Sequence, residues 1–146
     1  MAISSSLVTT SFKTQVLQGT HNFTASSGDT FKIALYTNSS SLAAGTATYG
    51  DGTATNEVTG TGYSAGGNTL TSVTPVADGT TAVCDFADTS WTSATITAYG
   101  ALIYNSSESN KSVCVLNFGG DKTCTSGTFT IQFPTADASN AILRLA

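Results

Sequence analysis

Residues 62–66 read Gly-Tyr-Ser-Ala-Gly, a literal G-x-S-x-G, the pattern that sets a nucleophilic serine on a sharp strand-to-helix turn. A serine hydroxyl is a weak nucleophile and needs an adjacent base, itself oriented by a third group. In hydrolases built on this elbow the acid and the histidine follow the serine, and here no histidine follows Ser64. His21 is the only histidine; it lies upstream in no matching motif, and the residues after Gly67 read as strand. The spacing predicts a turn serine and no catalytic residue. Gly60, Gly62, Gly66 and Gly67 also suggest a phosphate cradle, but position 65 is Ala, which spoils G-x-G-x-x-G. No G-K-[ST] is present, and no helix start follows to aim N–H groups at an anion. The four glycines are expected to take positive φ in a bend leading into a strand near Thr69. Tyr63, the one large side chain in that bend, must either anchor it to the core or meet a partner.

Other reactive residue types are equally scattered. Asp85 and Asp88 flank Phe86-Ala87, with Asp78 nearby; a glycosidase would need two such acids facing each other, and turn acids bonding backbone N–H groups are the simpler expectation. Asp51-Gly52-Thr53 lacks the regular acids of a calcium loop. Cys84 and Cys114 sit in strand-like runs and are expected as buried apolar residues, whereas Cys124 follows Asp121-Lys122-Thr123 and is expected as an exposed thiol. With no C-x-x-C and one histidine, zinc is disfavoured; no metal and no cofactor are expected. Trp91, Tyr63, Tyr49 and Tyr99 are the candidates for flat sugar platforms, if they are exposed, while single aromatics of a sandwich more often pack its core.

Composition narrows the setting. Charged residues are 10% of the 146, the net charge is −4, and serine and threonine make up nearly a third. Five scattered bases do not form the cationic patch that displaces counterions from nucleic acid. No run approaches the roughly 18 apolar residues of a membrane span. Met1-Ala2-Ile3-Ser4-Ser5-Ser6 lacks the basic start and apolar run of a secretory signal, so synthesis in the cytoplasm is expected. A hydrophobic content of 40%, with seven Phe and five Tyr, argues for a folded core.

The elements that must position these residues are strands. Phe31, Ile33 and Leu35 alternate with Lys32, Ala34 and Tyr36, and Phe129, Ile131 and Phe133 alternate with Thr128, Thr130 and Gln132; each pattern predicts a strand with one buried face. Further strands are expected over 69–74, 80–86, 94–104, 112–118 and 140–145, with breaks at Asp78-Gly79, Gly119-Gly120 and Ser126-Gly127. Gly100 marks a bulge or bend inside the longest run. A short helix is expected over 11–18, capped by Ser11 and stopped at Gly19. Residues 38–67 read as a long irregular loop with a short strand at 56–58, suited to reaching a neighbour. The pattern predicts an all-β antiparallel sandwich, with a jelly roll as one form of it, in a single domain over 11–146 behind an N-terminal arm at 1–10.

The stretches "FKTQVLQGTHNF", "GDTFKIALYT", "EVTGTGYSAGGNTL", "DFADTSWTSATITAYGALIYN", "VLNFGGDKTCTSGTFTIQFP" and "AILRL" together resemble a group of small structural proteins of tailed bacteriophages. The resemblance implies a virion component and no catalytic residue. Within that group it points to a capsid decoration (cement) protein on the outer head surface, binding the major capsid protein as a homotrimer, with no nucleic acid and no membrane as partner. The arm and the loop would then carry the interface, with Leu7, Val8, Phe12, Tyr49 and Tyr63 as its candidate residues. The alternatives are a tail, fibre or neck component, and a carbohydrate-binding module; a hydrolase ranks last.

Overall fold

The computed structural model describes residues 3–146. In chain order they form β1 (Leu7–Val8), α1 (Thr10–Leu17), β2 (Phe31–Tyr36), β3 (Asn68–Thr69), β4 (Ser72–Asp78), β5 (Thr81–Phe86), β6 (Thr89–Asn105), β7 (Lys111–Ile131) and β8 (Leu143–Leu145). The strands build two antiparallel sheets, a larger one in the order β1-β7-β6-β2-β3 and a smaller one in the order β4-β5-β8. Apolar residues from both sheets meet in one core, so the fold is an all-β sandwich with one short helix, as the alternation predicts. The order differs from a jelly roll, whose two Greek keys carry the chain repeatedly between sheets. Here β4–β5 and β6–β7 are hairpins, each within one sheet.

The turn signals divide into two kinds. Asp78-Gly79 closes the β4–β5 hairpin, with Gly79 at φ 61° and Asp78 opposite Thr81. Gly119-Gly120 and Ser126-Gly127, expected as breaks, instead lie inside β7, where Gly119 (φ 74°), Gly120 (φ 152°) and Ser126 (φ 48°) take left-handed backbone. Pairing with β6 resumes on both sides of the first, at Ala98↔Lys122 and Gly100↔Asn117. These are bulges that bend one long strand without ending it. Gly100 also sits at a register shift, as expected. The expected strand at 69–74 splits, because the chain passes from β3 in one sheet to β4 in the other with Leu70 buried at the crossing.

Helix α1 starts one residue before the expected Ser11, with Thr9 at the cap position. The Thr9 hydroxyl does not cap; it bonds Ser112 Oγ at 2.8 Å and the Val113 carbonyl at 3.2 Å. Gly19 adopts φ 70°, the left-handed stop. An eight-residue helix is marginal alone, and Phe12 ties it to the core.

The main departure from the sequence reading is that β2 and the inner half of β6 are buried on both faces. Phe31, Ile33 and Leu35 point to the core shared with the smaller sheet and α1, while Ala34 and Tyr36 are equally buried in a second core with Ile3, Leu42, Leu102, Tyr104 and Val115. Among the described residues no third sheet covers that face. Residues 42–54 and the segment before β1 do, while residues 57–58 run along the open edge of β2. Ile3 is buried, and its carbonyl accepts a bond from Asn117 Nδ2 at 2.9 Å. The described part of the expected N-terminal arm therefore lies along the body; Met1 and Ala2 fall outside the described residues. Leu42 buries its side chain in this second core, whereas Val58 buries its own in the first, and Val58 N–H bonds Leu35 O at 2.9 Å. The expected strand at 56–58 reduces to a single bridge, Tyr36↔Glu57.

Candidate functional site: a glutamate beneath residues 57–67

The glycine-rich stretch is strapped across β2 and β6. Glu57 bridges Tyr36 and Thr61 bridges Thr95. All four glycines have positive φ, as expected, at 153°, 80°, 91° and 68° for Gly60, Gly62, Gly66 and Gly67. Close approach is a second reason for glycine here. A Cβ on Gly67 would collide with the Ile33 carbonyl, and one on Gly62 would lie 2.8 Å from Ala94 Cα. The strap is thus a packed layer as well as a bend.

Glu57 gathers the strap into one polar cluster. Its Oε1 accepts the Tyr63 hydroxyl at 2.7 Å and the Gly66 N–H at 2.7 Å, and its Oε2 accepts the Tyr49 hydroxyl at 2.9 Å. The Tyr63 oxygen in turn accepts the Leu35 N–H at 2.9 Å. Tyr104 donates to the Gly66 carbonyl at 2.8 Å, and its ring stacks on Tyr49 with centroids 4.6 Å apart. Burial, then the bond to Glu57, pushes the Tyr49 phenol up to about 12. Burial also raises Tyr63, Tyr104 and Tyr36, all under the influence of the same carboxylate. The phenols stay protonated; those of Tyr49, Tyr63 and Tyr104 donate, that of Tyr36 is buried without a partner among the described residues, and the carboxylate only accepts. The arrangement can fix a loop; it presents no deprotonated nucleophile. Ser64 is exposed, and its carbonyl, not its hydroxyl, takes part, accepting Gly67 N–H at 3.0 Å.

Of the five candidate interface residues, the structure brings Tyr49 and Tyr63 together on Glu57. Leu7 and Val8 are half-buried in β1, paired with Val115 and Cys114 of β7. Phe12 is buried against His21, with ring centroids 4.9 Å apart. Among the sugar-platform candidates, Trp91 is 4% exposed and lies in the core, 5.9 Å from the Tyr63 ring. Tyr99 is half-buried beside the second core.

The remaining reactive groups are tied into the fold. His21 Nε2 meets Gln15 Oε1 at 2.8 Å and its Nδ1 meets Asn105 Nδ2 at 3.0 Å, which fixes the tautomer with the proton on Nε2. Burial holds its pKa below the ordinary imidazole value, against the pull of Asp29. Asp88 and Asp78 accept the backbone N–H groups of Phe133 (2.8 Å) and Ala138 (2.7 Å). They bond backbone as expected, but across the fold, not within their own turn. Asp85 lies in β5, buried, and accepts Phe86 N–H at 2.9 Å; burial raises its carboxyl above the usual range despite the Phe86 and Ile142 amides. Cys84 and Cys114 are buried free thiols, pushed up to about 12 by burial. Cys124, expected as exposed, is half-buried because it sits opposite Ile96 on the inward face of the β6–β7 ribbon. Among the described residues no three His, Cys, Asp or Glu side chains gather as a metal site, and no helix is long and apolar enough to cross a membrane.

Glu57 itself escaped the sequence reading. The signal that could have found it is an acid in a hydroxyl- and glycine-rich stretch with a tyrosine on either side, Tyr49 and Tyr63. Compared with known protein families, with curated proteins and with solved structures, the chain matches none.

Proposed function

We propose that this chain is a non-enzymatic structural component of a tailed-phage virion, a decoration protein that binds the outer head surface and stabilises it. The observation that supports the reading best is how its reactive groups are used. Glu57, Tyr49, Tyr63, Tyr104, His21, Asp78 and Asp88, on which a site would be built, are bonded to each other, to neighbouring side chains and to backbone, and they hold the loop against the body. That is the economy of a rigid body made to sit on a surface. The resemblance of residues 11–145 to small phage structural proteins points the same way. In this role the major capsid protein is the partner, and copies associate as a homotrimer where capsid subunits meet. Three equivalent contacts per trimer allow each to be weak, because engaging one raises the effective concentration of the others.

The test is to add purified protein to bare heads of the phage that carries the gene and image them by electron cryo-microscopy. Density at regular positions on the head lattice is the expected result. Density confined to the tail would replace this reading with a tail, fibre or neck component, and bare heads and tails would overturn both.

A further inference from the structure

Two exposed features lie at opposite ends of the strand order. Beyond the two residues that pair with β1, β7 is the open edge of the larger sheet, and there an open groove of about 520 Å³ runs between β7 and the segment entering β8. Leu116, Phe118, Ile131, Phe133 and Ile142 line it, each packed against the core on its inner side and part-exposed on the other. Lys122 is the one charged residue of the lining. On the far side lies β4, the outer strand of the smaller sheet, exposed from Val73 to Asp78. Val73 is 43% and Val76 55% exposed, both high for valine in a strand. Asp78 is the one charged residue of β4.

The placement follows from strand order. Ile142, beside β8, shares the groove with β7, so β8 lies at the β7 side of the body. β4 is at the other end of the smaller sheet, and only Leu70 and Thr71 separate it from β3, the far edge of the larger one. Pro75 has no N–H to offer, so β4 meets a partner through side chains and does not extend a sheet.

We propose that β4 of one copy docks in the β7 groove of the next, seating Val73 and Val76 among the groove's apolar side chains with Asp78 facing Lys122. The occupant is a second copy of this chain, because β4 and the groove are each uncharged but for one residue, and those two charges are opposite; Asp78 Oδ2 accepts Ala138 N–H, which leaves Oδ1 for the contact. A contact between two different surfaces is head-to-tail and closes into a ring when the rotation per copy allows. The inference rests on the trimeric self-association in the reading above and supplies its interface.

The test is the mass of the full chain by size exclusion with light scattering. The wild type is expected as a trimer. Val76→Glu and Lys122→Glu change exposed side chains and should each weaken assembly by about tenfold or more, leaving monomers. Val73→Glu, with an unchanged melting temperature, provides a second variant of the same strand. Mixing Val76→Glu with Lys122→Glu should produce dimers, since one copy keeps its groove and the other its β4. Variants that remain trimers would overturn the interface, and a mixture that stays monomeric would overturn its head-to-tail character. A monomeric wild type would overturn the interface and the self-association together. The capsid reading fails on the imaging experiment alone, and this interface on the masses alone.

Discussion

The two faces of β2 are covered in different ways, and the chemistry of each core follows its cover. On one face lie a sheet and a helix, whose backbones satisfy their own hydrogen bonds, so the filling can be almost wholly apolar. Phe31 stacks on Phe23 with centroids 4.3 Å apart and meets Phe86 at 5.7 Å, which in turn meets Phe133 at 5.7 Å. On the other face lies a loop, whose buried backbone groups need partners brought by side chains. There the aromatics are tyrosines, and hydroxyls and carboxylates complete the loop. Ser112 Oγ donates to Thr46 O at 2.7 Å, Thr46 and Thr53 pair through their hydroxyls at 2.7 Å, and Asp51 accepts the N–H groups of Ala47 (2.9 Å) and Thr53 (2.7 Å). An irregular segment can serve as a core layer when its own sequence carries the polar atoms that it buries.

The comparison can be broken most forcefully on the apolar side. Phe31→Ala should cost about 3–5 kcal/mol, because the ring is fully buried and its site cannot collapse around the loss; chemical denaturation measures it, and a loss under 1 kcal/mol would show a softer core than described. At the edge of β2, where the Tyr63 ring packs on the apolar core and its hydroxyl joins the polar loop, Tyr63→Phe removes one hydroxyl that both donates to Glu57 and accepts from Leu35 N–H. A loss of about 1–3 kcal/mol is expected, with faster amide exchange confined to residues 38–67 and their contacts on β2.

Smaller effects should differ in sign between two carboxyls, one held by loop amides and one buried in β5. Bonds from the Ala47 and Thr53 amides hold the Asp51 carboxyl below its ordinary value, so the stability it contributes is present at neutral pH and lost as pH falls through its folded pKa. Burial raises Asp85, so the folded chain takes up a proton before the unfolded one does, and wild-type stability falls as pH rises through the folded pKa. Asp51→Asn should therefore lower the melting temperature at pH 7, and Asp85→Asn should raise it. Each difference from wild type should shrink on acidification, which melting curves across pH would show. Least of all, Ser64→Ala should change stability by no more than about 0.5 kcal/mol, since its exposed side chain holds nothing.

Much of the first face was legible in the sequence. The alternation of Phe31, Ile33 and Leu35, the Asp78-Gly79 turn and the Gly19 stop are local signals, and each appears in the fold. The second face was not legible, for physical reasons. Ala34 and Tyr36 are compatible with either a buried or a wet face, so with Lys32 between Phe31 and Ile33 the strand read as one-sided. The order of residues 38–67 depends on partners far along the chain, such as Glu57 with Tyr36 and Thr48 with Lys111, which no local pattern announces. Gly119-Gly120 and Ser126-Gly127 carry turn chemistry, and only the continuous partner β6 turns them into bulges. At the candidate site Tyr63 was recognised as either an anchor or a contact residue, and its bond to Leu35 N–H makes it an anchor.

The central claim is that residues 38–67 are a layer of the body and not a free arm. Amide hydrogen exchange of the intact protein tests it most directly. The N–H groups of Tyr49, Val58 and Gly66, bonded to Asn110 O, Leu35 O and Glu57 Oε1, should exchange as slowly as those of β2 and open with them. Exchange of these three at the rate of an unstructured peptide, while β2 stays protected, would contradict the account.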